Sequence, residues 1–177
     1  MASLLATRET GSEGRMALSL YLQQADEARL AHLARQPDAL RAASAPARSL
    51  EVLDLRRSWQ VLHGLFTGTA WDGPAPANTL MGGGRAIGAD LGCGQPRLVS
   101  AAETLAFSRY VEPLCPYQLR TRVDRRRVAR TRFYAAECGN CPEIEDLRDS
   151  VVRDLPLLKG YLGRAATDGH GLLMWMM

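Results

Sequence analysis

Apolar and polar residues alternate from Ala17 to Gln23, with Leu18, Leu20 and Leu22 on one side and Ala17, Ser19 and Tyr21 on the other, which predicts a strand with one covered face. From Asp26 to Gln36 the pattern changes to a short helix carrying Leu30 and Leu33, which Pro37 ends. The clearest helix follows Asp54, a candidate cap, because Leu55, Trp59, Leu62 and Phe66 recur at steps of 4, 3 and 4 before Gly68. Between Thr69 and Arg97 glycine and proline are too frequent for regular elements, and a connection of that length inside a compact domain points to a functional loop or disorder. Ser100-Ala-Ala-Glu103 is a capping box opening a helix from Ala101 to about Glu112, closed by Pro113. Leu119–Val123 reads as extended, with Asp124 capping a short Arg-rich helix after it. Helical spacing then runs through Ile144, Leu147, Val151, Leu155, Leu158, Leu162 and Ala165. Pro156 interrupts it, so a kink is expected there, or two helices with Asp154 capping the second. The final run, Gly171–Met177, is short and continuously apolar, as in a buried strand, and is expected in the same sheet as Ala17–Gln23.

These elements define an α+β fold: a small mixed sheet including the N- and C-terminal strands, packed with several helices. Residues 1–15 are small, polar and aperiodic and are expected to form a disordered tail, with residues 16–177 as a single domain. A chain of 177 residues can bury roughly 70% of its unfolded surface in one core. Its 46% hydrophobic and 23% charged residues are ordinary for a globular protein. All 22 basic residues but Lys159 are arginine, yet 19 acidic residues leave a net charge of only +3, too little to argue for a nucleic-acid partner. The first apolar run is too short for a signal peptide and no stretch is long enough to span a membrane, so a cytoplasmic protein with four cysteine thiols and no membrane partner is expected.

Four blocks occur in a characteristic order: Leu53–Gly68, with a Trp followed by a Leu-His pair and a Thr-Gly stop; Leu80–Gly88; Asp90–Arg97 ahead of the capping box; and Leu157–Ala166 with the last strand. Together they resemble the YfbM-like family of uncharacterised bacterial proteins, over Met16 to Met177. The resemblance implies an α+β fold and no established reaction. At family level it also implies an association with immunity proteins that neutralise a cognate toxin. This chain departs from the family pattern in carrying Arg56-Arg57 before Ser58-Trp59 and Gln60 after it, and in the segment Tyr134–Pro142, which reads as a local insertion with two cysteines.

The candidate chemistry is sparse. Cys138-Gly-Asn-Cys141 has no second cysteine pair to complete a zinc site and no thioredoxin-like context, so two loop thiols, no metal and no cofactor are expected. The glycines between Gly82 and Gly94 lack a P-loop or dinucleotide signature and read as turn chemistry. An anion site there would depend on Arg85 and Arg97, whose guanidinium forks match phosphate or carboxylate. His63, one turn after Trp59, reads first as a core-edge histidine and second as a base oriented by Asp72 or Asp90. Pocket candidates are therefore Trp59, His63, Asp72, Arg85 and Arg97, with no complete catalytic set. The basic run offers Arg122, Arg125, Arg126, Arg127 and Arg130 as a surface for RNA or an acidic protein, or as a solvated face paired with Glu143, Glu145, Asp146 and Asp149. The leading expectation is a non-enzymatic protein-binding module whose partner is a cognate toxin. The alternatives are a small enzyme or anion-ligand-binding protein using the 67–97 loop, and nucleic-acid binding through Arg120–Arg132.

Overall fold

The computed structural model describes residues 18–36, 52–130 and 143–177. The N-terminal tail, the two C-x-x-C cysteines and the aromatic pair at Phe133 and Tyr134 lie outside them. Strand β1 (Leu20–Ala25) buries Leu20 and Leu22 on one face, as the alternation requires. Helix α1 (Glu27–Arg35) follows at once, its first turn capped by the Asp26 carboxylate, which accepts the Arg29 N–H at 2.7 Å. Strand β2 (Val52–Asp54) leads into helix α2 (Ser58–Thr67), which ends at Gly68 in the left-handed conformation that glycine adopts freely. Asp54 does not cap α2. It ends β2, and its carboxylate accepts the N–H of Arg56 at 2.7 Å within a turn, so the helix starts later than the Leu55 spacing suggests.

The glycine-rich stretch is more regular than expected. It holds a short helix α3 (Thr79–Gly82) and an edge strand β3 (Arg85–Ala86), before β4 (Arg97–Val99). Gly84 makes this possible: it has φ 76°, and a Cβ there would run into the Leu98 carbonyl, so only glycine lets β3 approach β4. Helix α4 (Ala101–Val111) opens on the complete capping box of Ser100 and Glu103. Leu119–Val123 is not extended, because Pro116 presets the first turn of helix α5 (Pro116–Thr121) and Cys115 before it takes the extended backbone. Helix α6 (Arg125–Arg130) starts at Asp124, whose carboxylate accepts the Arg127 N–H at 2.7 Å. Helix α7 (Ile144–Thr167) runs continuously through Pro156 into strand β5 (Gly171–Met176).

The sheet order is β2-β1-β5-β4-β3, so the first and last strands pair at its centre. Every pairing is antiparallel, where a mixed sheet is expected from the pattern alone. The reason is where the chain re-enters: Val52 opposes Gln23 and Leu172 opposes Val99, so β2 and β5 each start at the end where the neighbouring strand stops. One face, with Leu20, Leu22, Val99, Leu172 and Met174, packs into the main core with α2, α4, α5 and α7. The other face carries a smaller cluster of Leu33, Ile87, Leu98, Leu173 and Trp175, with Tyr21 stacked on Trp175 at 5.4 Å. Tyr161 ties α7 to β1: its hydroxyl donates to the Leu22 carbonyl at 2.9 Å and accepts the Gln24 N–H at 2.8 Å.

Candidate functional site

The end of α2, the loop after it and the start of β4 bring His63, Asp72 and Arg97 close enough to act on one another electrostatically. His63 is fully buried. Its Nε2 lies 3.4 Å from the Thr67 hydroxyl, and its Nδ1 has no hydrogen-bond partner among the described residues. Burial pushes its pKa down to about 4; the Asp72 backbone opposes that shift, the positive Arg97 adds to it and the Asp72 carboxylate opposes it. The ring is thus neutral at pH 7 and closed to solvent. Arg97 is engaged elsewhere, donating to the Leu80 carbonyl at 2.7 Å and to the Met81 carbonyl, where it satisfies the last carbonyls of α3. Burial pushes its pKa down to about 10, so it keeps its charge at neutral pH.

Arg85 does not join these residues. It opposes Leu98 across the edge pairing while Arg97 opposes Ala86, and residues one apart on a strand point to opposite faces. Arg97 therefore lies on the main-core face, and Arg85, exposed, on the α1 face, where it lines a cleft of about 660 Å³ with Glu27, Leu30 and Glu103. Burial disfavours ionising Glu103, but hydrogen bonds from the Ser100 hydroxyl, the Ser100 N–H and the Gly84 N–H together outweigh it and hold the carboxyl below its usual range. Trp59 is fully buried in the main core, its indole N–H donating to the Leu18 carbonyl at 3.1 Å.

The basic run divides in two. Arg120 meets Glu145 at 3.0 Å and Asp149 at 3.5 Å, joining α5 to α7, and Arg148 meets Glu145 at 2.6 Å. Arg122, Arg125 and Arg126 are exposed and make no ion pair among the described residues. Arg127 is half-buried, and Arg130 is the last residue of α6. These helices are anchored by Leu119, Val123 and Val128, all in the main core.

Two further clefts have no counterpart in the candidate residues read from sequence. One, about 400 Å³, gathers Arg29, Tyr161, Arg164 and His170 where β1, α1 and the end of α7 meet. The other, about 630 Å³, lies between the β2–α2 turn, with Arg56 and Arg57, and the first half of α7, with Asp146, Asp149 and Arg153. A local signal exists for the second. Asp146, Asp149 and Arg153 recur at helical steps on one polar face. Their approach to Arg56 is a product of the tertiary fold. Among the described residues no group of three His, Cys, Asp or Glu could hold a metal ion, and no helix is long and apolar enough to cross a membrane.

A family model described as a domain of unknown function, DUF1877, matches residues 16–175. Among solved structures, the chain is similar to the crystal structure of YfbM from Escherichia coli, itself described as a protein of unknown function. The TM-score is 0.68 at 22% identity, over 90% of this chain and 99% of that one. At that identity the likeness establishes the fold. No curated protein matches the chain.

Proposed function

We propose, from the premise that this chain belongs to the DUF1877 family, that it is a non-enzymatic binding protein that docks an acidic partner protein on the surface of α5 and α6. A cognate toxin is the partner class the family association suggests. One observation carries the reading: Arg122, just past the end of α5, and Arg125 and Arg126 on α6 are exposed and without an ion pair among the described residues, beside Leu119, Val123 and Val128 in the main core. Like charges on a rigid base create a local positive field that accelerates encounter with a surface of opposite sign, and pre-formed geometry limits the entropy lost on docking. The alternative of a small enzyme or anion site in the 67–97 loop has less support. His63 is closed to solvent, Arg97 is committed to two backbone carbonyls, and Arg85 faces the other side of the sheet.

The test is titration calorimetry and stopped-flow association with the purified product of the gene adjacent to this one. The expected result is nanomolar binding that the triple variant Arg122→Glu, Arg125→Glu, Arg126→Glu weakens by about tenfold or more, mostly through a slower and less salt-sensitive association rate, with an unchanged melting temperature. No binding, or binding indifferent to the triple variant, sinks the proposal. A salt-dependent gel shift with RNA that the same variant abolishes would instead assign this surface to nucleic acid.

A further inference from the structure

The cleft between the β2–α2 turn and the first half of α7 gathers charge that the partner-binding reading leaves unused. Its volume of about 630 Å³ is that of a small-molecule site. Arg56, Arg57 and Ser58 form one wall, and Asp146, Asp149 and Arg153 stand on the other. Most of the second wall is already neutralised: Arg153 forks onto Asp154 at 2.7 and 2.8 Å, and Asp149 reaches Arg120 at 3.5 Å. Arg56 and Arg57 have no carboxylate at ion-pair distance among the described residues, although two aspartates face them across the opening. These two guanidiniums, with the Asp146 carboxylate opposite them, are the charges left without an ion pair in the cleft among the described residues.

The turn that presents them is strained. Arg56 has φ 47°, the one non-glycine residue with positive φ among those described, held there by the Asp54 carboxylate on its N–H. A Cβ makes that conformation unfavourable, and such strain persists where the surroundings over-determine it, often at ligand clamps. Directly after it, α2 begins with no side-chain cap and no acidic residue in its first turn. The partial positive charge of that terminus therefore adds to the guanidiniums rather than being met by a carboxylate.

We propose that this cleft binds the phosphate group of a small phosphorylated ligand. The Arg56 and Arg57 forks take the phosphate oxygens beside the positive end of α2, whose Ser58 and Gln60 N–H groups are already bonded to the Leu55 and Arg57 carbonyls. The remainder of the ligand lies along α7, where Asp146 repels a second anion and favours hydroxyl or amino groups. The inference is independent of the partner-binding surface, which uses different arginines.

The test is amide correlation spectroscopy of the full chain titrated with inorganic phosphate and with pyrophosphate at constant ionic strength. Saturable shifts are expected at the Ser58 and Trp59 amides, with a dissociation constant for phosphate of about 1 mM. Arg57→Ala and Arg56→Gly should each weaken binding about tenfold or more. Arg56→Gly guards against a folding artefact, since glycine takes the positive φ without strain, so that variant should melt no lower than wild type. The double variant Arg125→Ser, Arg126→Ser should bind as wild type does. Absence of saturable shifts at Ser58 and Trp59, undiminished binding by Arg56→Gly, or loss of binding in the double variant each overturns the proposal.

Discussion

His63 shows how burial decides what a side chain can do. The imidazole stays neutral because charging it inside the core would forfeit hydration, and the Arg97 guanidinium adds to that penalty. Its folded pKa of about 4 lies below the ordinary 6.5, so between those values the unfolded chain binds the proton and the folded one does not. Stability from this residue is therefore complete above pH 6.5 and is lost as the pH falls toward 4, by about 3 kcal/mol at most. Chemical denaturation at a series of pH values should show that slope in the wild type, and His63→Gln should remove it. An identical pH profile for the two proteins would mean that the ring can reach solvent. Arg97 is the same lesson with the opposite outcome: it remains protonated because the α3 carbonyls replace water around its guanidinium.

Helix α2 is organised by Trp59, which with Leu55 and Leu62 is fully buried in the main core while Phe66 packs at its margin. Phe66 meets Phe107 edge-on at 6.2 Å and Tyr110 at 5.9 Å, which carries the same stripe onto α4. Trp59→Ala should cost about 3–5 kcal/mol, a large share of the ~5–15 kcal/mol typical of a domain. A melting temperature within a degree or two of wild type would show that the stripe does not carry the core. Helix α7 survives Pro156 because that residue lies on the exposed side, where helix hydrogen bonds are already the longest, while Val151, Leu155, Leu158 and Leu162 hold the other side in the core. A proline on the buried stripe would have met the opposite balance.

At the scale of the whole molecule, the terminal segments are what close the fold, since β1 and β5 form the middle of the sheet. Gly171 sits where α7 turns into β5: a Cβ there would run into the Val99 carbonyl and come within 2.5 Å of the Leu30 side chain. Because the first obstacle is backbone, Gly171→Ala should cost about 1–3 kcal/mol, measured by denaturant titration; an unchanged midpoint would refute this close approach of β4, α1 and β5. The sequence by itself determined the longer helices, the capping box that opens α4 and the two central strands, because helical spacing, alternation and the Ser100–Glu103 box act within a few residues. It also carried the family, through the order of its blocks. Only the tertiary structure decided the rest. Strands β2, β3 and β4 have two or three residues each, too few to display a period, and exist because a neighbour pairs with them. Arg85 and Arg97 are separated by the one-residue alternation of an edge pairing that no local pattern announces, and Arg56 meets the acidic face of α7 only once the core between them has formed. Local propensity is written in neighbouring residues, whereas the facing of side chains is set by contacts between segments far apart in the chain.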